Sequence, residues 1–302
     1  MKNAAVLVSA CLVLAFVQCR QPGSDHQRGY SQLRDSLLEI ISRYKATVGM
    51  SVAELETGDT ISINNSTKYA MQSVYKLPLA LTILSEVEKK TISLKQKVLL
   101  SKDLLDKFSW SPLKKQNPGD SVQVTVDSLL MYMMVYSDNL SCDALFRLIG
   151  GTETADKFIS GKGFRDIHIV YTEAEIGEKH ERMYENSAIP SEMTALLKSF
   201  FERKMVNDTG TSHLLHFMTN DSTSHLRLMG DLPPGTVVAH KTGTGSFNDT
   251  LVNACNDVGI IYLPNGKHLA VSVFVMDAKE KMEDTEKIIA LLTRKVFDFY
   301  KE

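Results

Sequence analysis

Apolar residues fall at helical spacing between Ser31 and Tyr44, where Leu33, Leu37, Leu38, Ile41 and Tyr44 share one stripe, so an amphipathic helix packed on a larger body is predicted there. The period then drops to two. Val48, Met50 and Val52 alternate, Gly58-Asp59 interrupts, and Thr60 to Asn64 resumes, which reads as a β-hairpin. From Leu77 to Lys90 the pattern is helical again and apolar on more than one face, as a core helix requires. Pro78 cannot donate to the Val74 carbonyl, so either it lies near the first turn or the helix bends. Residues 91–127 alternate polar loops with short helical pieces and lead into the Met-rich run from Leu129 to Val135, which fits core packing. Gly235 to Ala239 reads as a buried strand. Asp257 to Leu263 and His268 to Met276 flank Asn265-Gly266 as a second hairpin. Asp284 is expected to cap a final helix whose Ile288, Ile289, Leu292, Val296 and Tyr300 face one side.

Composition narrows the class. With 302 residues, 43% of them apolar and 23% charged, the chain can build one large or two closely packed domains. A formal net charge of -2 supplies no basic surface for nucleic acid. At the N-terminus, Lys2 precedes an apolar run from Ala4 to Val17, then Gln18-Cys19 and a polar stretch. That run falls short of the about 20 residues a membrane helix needs and reads as an export signal over residues 1–19. Ordinary cleavage near Cys19 and lipid attachment to Cys19 both stay open, although Gln18 fits the lipoprotein pattern poorly. Either places the mature chain outside the cytoplasm, in the periplasm. Of four cysteines, Cys11 and Cys19 belong to the signal. Cys142 and Cys255 remain, either as two buried thiols or as an exported pair able to bridge.

Three polar motifs punctuate the apolar segments. Ser73 and Lys76 stand one helical turn apart, so an amine can reach the serine hydroxyl, and a serine in a first turn has free backbone N–H groups beside it. Ser137-Asp138-Asn139 breaks two apolar helical stretches, where such residues commonly serve only as caps. His240-Lys241-Thr242-Gly243-Thr244-Gly245 follows the strand at 235–239. A lysine there needs a polar cavity or a partner charge, and the glycines admit a close neighbour. Each motif alone is weak. Their order, S-x-x-K then S-D-N then K-T-G, is specific.

On these motifs the chain resembles a class A serine β-lactamase over essentially its whole mature length. Tyr75 and Asp143 bring it closest to the extended-spectrum, cephalosporin-hydrolysing branch of Bacteroides-like bacteria. The resemblance implies an α+β fold: a five-stranded antiparallel sheet flanked by helices, from residues 20–72 and 221–302, and an all-helical domain from 73–220. It also implies that Ser73 is the nucleophile and Lys76 eases removal of its proton. The Ser73 and Thr244 N–H groups would form an oxyanion hole, each donor worth about 3 kcal/mol. Ser137 would relay a proton to the lactam nitrogen and Asn139 would bind the substrate amide. Lys241 and Thr242 would hold its carboxylate, Gly243 and Thr244 would also bind substrate, and Asp138 ties the loop together.

In a loop at about 165–186, the family pattern E-x-x-L-N falls on Glu173-Ala174-Glu175-Ile176-Gly177 and makes Glu173 the deacylating base, with Glu175 its rival. Gly177 departs from the usual asparagine, and Asp143 stands where an asparagine commonly braces this loop. The expected arginine after the third motif is missing. Arg227 is either its replacement in the carboxylate pocket or part of a surface ion pair. A monomer acting on β-lactams without cofactor or metal is implied. A D,D-peptidase or an acylating sensor shares most of these residues but needs no deacylating glutamate. A zinc hydrolase would need clustered ligands, whereas His213 and His216 read as helix surface.

Overall fold

The computed structural model describes residues 22–108 and 110–302; the export signal and Cys19 lie outside the described residues. The first helix, α1 (Pro22–Ser42), leads into the hairpin β1 (Thr47–Glu54) and β2 (Thr60–Ile63), then β3 (Tyr69–Ala70). A 3-10 turn (Gln72–Tyr75) runs directly into α2 (Lys76–Glu88), so Pro78 sits in the first turn and no bend is needed. There follow β4 (Lys97–Ser101), α3 (Lys102–Leu105), α4 (Pro112–Gln116), β5 (Ser121–Thr125), α5 (Val126–Val135), α6 (Asn139–Leu148) and α7 (Thr152–Gly161). Next come β6 (Ile167–His168), α8 (Glu173–Glu178), a 3-10 turn (His180–Tyr184), β7 (Ser187–Ala188), α9 (Pro190–Phe201) and α10 (Asp208–Thr219). The chain closes with β8 (Val238–Thr244), β9 (Val252–Tyr262), β10 (His268–Ala278) and α11 (Met282–Tyr300).

The main sheet has the order β2-β1-β10-β9-β8, and every neighbouring pair is antiparallel. Strand alternation sorts its side chains into two cores. Leu269, Val271, Val273 and Val275 of β10 join Leu33 and Leu37 of α1 and Ile288, Ile289, Leu292 and Val296 of α11. Ala270 and Phe274 point the other way, into a core shared with α2, α5, α6 and α9. Burial of several such side chains, at roughly 1.5–3 kcal/mol each, is what holds helices to both faces.

Several local expectations shift. The third motif does not follow a strand but lies inside one: β8 begins at Val238, while Val237 is exposed. Residues 91–127 contain a two-stranded ribbon in place of loops, with Val98 opposite Val124 and Leu100 opposite Val122. Asp284 lies in the first turn of α11, whose N-cap is Lys281. Of the Asn265-Gly266 pair only Gly266 has a positive φ, 83°, and the hairpin closes as a longer loop through Gly266 N–H to Leu263 O and Leu263 N–H to Lys267 O. Cys142 and Cys255 are buried and unbridged.

Candidate active site

The 3-10 turn carrying Ser73 packs against the outer edge of β8, and Gly243 is what permits it. A Cβ on Gly243 would overlap the Met71 carbonyl oxygen and stand 3.2 Å from Val74 N. Asn256 of β9 adds a tether, its amide donating to the Ala70 and Met71 carbonyls at 2.8 and 3.0 Å. Register fixes the Thr244 amide. Gly245 N–H bonds to Ala254 O and Tyr262 N–H to Val237 O, so the odd-numbered residues of β8 pair with β9 while the Thr244 N–H points to the free edge.

Lys76 is wholly buried at the start of α2 and gathers the motifs. Its Nζ lies 3.0 Å from Ser73 Oγ, 2.8 Å from Ser137 O, 2.6 Å from Asn139 Oδ1 and 3.1 Å from Glu173 Oε1. Ser137 adopts φ 55°, an uncommon backbone for a serine, and its Oγ stands 3.1 Å from Lys241 Nζ and 3.5 Å from Lys76 Nζ. Asp138 caps α6 at Ser141 N–H and binds Ser111 Oγ and Leu113 N–H, so it ties two segments together. Burial pulls the Lys241 ammonium down to about 8; Asp221, 3.7 Å away, pushes back and the Lys76 charge adds to the fall.

The two candidate bases in the loop at 165–186 separate cleanly. Glu173 faces the cavity beside Lys76. Glu175 is occupied in a capping box, accepting from Thr172 N–H and Oγ1, and does not line the cavity. Asp143 accepts from Glu173 N–H at 2.9 Å with one oxygen and from Ala174 N–H at 3.0 Å with the other. The first turn of α8 is thus anchored to α6. Around Gly177 nothing beyond its own helix turn lies within 4 Å of where a Cβ would stand.

A cavity of about 660 Å³ opens over these groups, lined by Ser73, Ser137, Asn139, Glu173, Thr242 and Thr244 among others. Trp110 and Phe247, 52% and 60% exposed, stand at its walls. Lys76, Lys241 and Gly243 lie beneath its floor. Of the two readings of Arg227, the surface ion pair fails, because the residue is 3% exposed; it stands directly behind the cavity wall at Thr244. Its guanidinium binds Glu286, the Gly243 and Asn256 carbonyls, and Thr244 Oγ1 at 2.7 Å, reaching the cavity only through that hydroxyl. His213 of α10 pairs with Asp127 of α5 at 2.6 Å, away from the cavity.

Sequence reasoning missed Asn256, Asp221 and Thr223. Asp221 and Thr223 come from the stretch between α10 and β8, where no periodicity marks them; a buried polar residue in the apolar strand β9 was the one available signal for Asn256.

Residues 32–300 match the model of the beta-lactamase enzyme family. The chain is 37% identical over 264 residues to beta-lactamase VEB-1 of Pseudomonas aeruginosa, covering 86% of this chain and 88% of that one. A beta-lactamase of Bacteroides uniformis is 32% identical over 270 residues, with 89% and 91% covered. The crystal structure of TLA-1 extended-spectrum beta-lactamase superposes with a TM-score of 0.88 at 38% identity, covering 91% of this chain and all of that one, 100%.

Proposed function

Because the chain belongs to the beta-lactamase enzyme family, we propose that it is a class A, extended-spectrum β-lactamase that opens the lactam amide of penicillins and cephalosporins through an acyl-enzyme on Ser73 and so confers resistance to them. The observation that carries this reading is the position of Lys76 between Ser73 Oγ, at 3.0 Å, and Glu173 Oε1, at 3.1 Å. One buried amine touches both the nucleophile and a carboxylate able to take its proton.

In the proposed reaction the Ser73 proton leaves through Lys76 toward Glu173, and Ser73 Oγ attacks the lactam carbonyl. The developing oxyanion meets the Ser73 and Thr244 N–H groups. Such donors act on charge present only in the transition state, each worth about 3 kcal/mol. Ser137, bonded to Lys241, hands a proton to the departing lactam nitrogen. Asn139 holds the substrate's side-chain amide, and the Lys241 charge with the Thr242 and Thr244 hydroxyls holds its carboxylate. Ser137 recovers a proton from Lys76, 3.5 Å away, and Lys76 recovers one from Glu173, so that Glu173, a carboxylate again, activates the water that releases the product. The residues take up these roles without a cofactor, as a monomer exported to the periplasm; the apolar run Ala4 to Val17 supports export, and lipid attachment at Cys19 is checked by the mass of the mature N-terminus.

Mixed with a chromogenic cephalosporin, the chain should give many turnovers that a chelator does not slow. Glu173→Ala should acylate and then stall, with a covalent adduct on Ser73 visible by mass spectrometry. A single stoichiometric burst from the unsubstituted chain, or accumulation of the adduct in Glu175→Ala instead, overturns the reading.

A further inference from the structure

Three threonines, Thr223, Thr242 and Thr244, line the cavity, and the hydroxyls of Thr242 and Thr244 are held with opposite polarity. Thr244 Oγ1 accepts from Arg227 Nη2, and a guanidinium only donates, so the Thr244 hydrogen is left for the cavity. Thr242 is placed differently. Its Oγ1 contacts Thr223 Oγ1, and Thr223 Oγ1 in turn contacts Asp221 Oδ1, which also accepts the Thr223 N–H. Asp221, buried and ion-paired with the Lys241 ammonium at 3.7 Å, is a carboxylate there, and a carboxylate only accepts. The single Thr223 hydrogen therefore goes to Asp221. None remains for Thr242, so the bond between the two hydroxyls uses the Thr242 hydrogen, and Thr242 shows the empty cavity its lone pairs.

We propose that Thr223 is a positioning residue that sets the polarity of the Thr242 hydroxyl: in the empty site it holds Thr242 as an acceptor, and a substrate carboxylate must turn that hydroxyl round before Thr242 can donate to it. The proposal rests on the reading of this cavity as the lactam site and assigns Thr223 a cost in substrate capture. Asp221 takes part from behind. Its second oxygen is buried without a hydrogen-bond partner, 3.7 Å from Lys241 Nζ, and its first takes both the Thr223 N–H and the Thr223 hydroxyl, so a Thr242 that donates to an anion leaves its oxygen facing the Thr223 oxygen with no hydrogen between them.

Losing a contact residue normally weakens binding; here loss of the Thr223 hydroxyl should strengthen it. In a Ser73→Ala background, Thr223→Val should tighten the dissociation constant of a cephalosporin acid by about threefold to tenfold, the worth of one hydrogen bond. The methyl ester of the same compound should not move. In the active protein the same substitution should lower KM for the acid and leave kcat near its original value. Thr223→Ser should restore the original acid-to-ester ratio, and Thr223→Ala, which adds no bulk, should repeat the valine result should valine not fold. Weaker acid binding in the valine and alanine variants, or acid and ester shifting together, overturns the proposal. Turnover by the unsubstituted chain tests the underlying reading separately: with turnover present and the acid-to-ester ratio unmoved, only the role of Thr223 falls.

Discussion

On one wall of the cavity, Thr242 and Thr244 ride on a seven-residue strand paired with β9 along its length and backed by a buried arginine. On the opposite wall, Glu173 opens a six-residue helix inside a loop, and the first turn of that helix is fixed to the rest of the molecule by the carboxylate of Asp143. The strand wall is over-determined: sheet pairing, the Gly243 contact and the Asn256 tether all specify one position. The loop wall is held by scattered side chains instead of a strand ladder: Asp143 at the first turn of α8, Asn186 on the Val170 and Tyr171 N–H groups, and Lys76 on Glu173 itself. In the proposed reaction, acylation thus draws on the sheet and deacylation on the loop.

The largest test of that contrast lies where the strand meets the nucleophile. In Gly243→Ala the new methyl would overlap the Met71 carbonyl oxygen, which is backbone and cannot swing aside. The strand and the Ser73 turn must part, separating the two N–H groups proposed as the oxyanion hole. A misplacement of about 1 Å at reacting groups costs about 10²-fold, so acylation of a chromogenic cephalosporin, followed by stopped flow, should slow at least that much. Near-normal acylation would mean that the strand wall is less constrained than its contacts imply.

The loop wall should fail in a different step. Asp143 is held up at about 7, chiefly by burial and then by the Glu173 carboxylate, against the Ala174 and Glu173 N–H bonds and the Lys76 charge, which pull it down. Its ordinary value is 3.8. Between these values the folded chain binds a proton that the unfolded chain does not, so this group's stabilising contribution is fully present below 3.8 and is lost as pH rises through about 7. The brace has the reverse dependence, because only the ionised carboxylate accepts freely from both N–H groups. Deacylation should thus weaken as pH falls through about 7 while thermal stability from this group rises. Asp143→Asn offers one acceptor and one donor to two N–H groups. It should slow adduct breakdown by up to about 10²-fold, spare acylation, and flatten that acid limb. Equal slowing of both steps would place Asp143 in the general scaffold.

The same contrast explains what the sequence disclosed. Ser73 with Lys76 and Ser137 with Asn139 were legible because each pair is set by local spacing, and the Asp138 cap is a local rule as well. The five-stranded sheet and its flanking helices follow from period and from the family resemblance. The surface-pair reading of Arg227 failed because burial depends on which loop covers it, and nothing near Leu226-Arg227-Leu228 encodes that Glu286 of α11 lies opposite. The ribbon of β4 and β5 was missed for a related reason: its strands pair across the intervening α3 and α4, and each alone is too short to announce a partner.

Gly177 gives the smallest effect and the sharpest reading of the loop wall. It lies in the last turn of α8, where glycine costs up to about 0.5–1 kcal/mol relative to alanine, and nothing beyond its own helix turn lies within 4 Å of the place a Cβ would take. On packing alone Gly177→Ala should raise stability by that amount, a small upward shift in Tm. If Glu173 is positioned only through Asp143, deacylation should stay unchanged, since alanine neither touches the brace nor fills the cavity. Should the stabilised variant instead release its acyl group several-fold more slowly, the helix must flex at Gly177 to admit water, and the weakness of the loop wall would be part of how it works. Gly177→Asn separates space from chemistry. It adds the amide that the family pattern places here, so a rate above that of Gly177→Ala measures what such an amide contributes to holding the water in this loop.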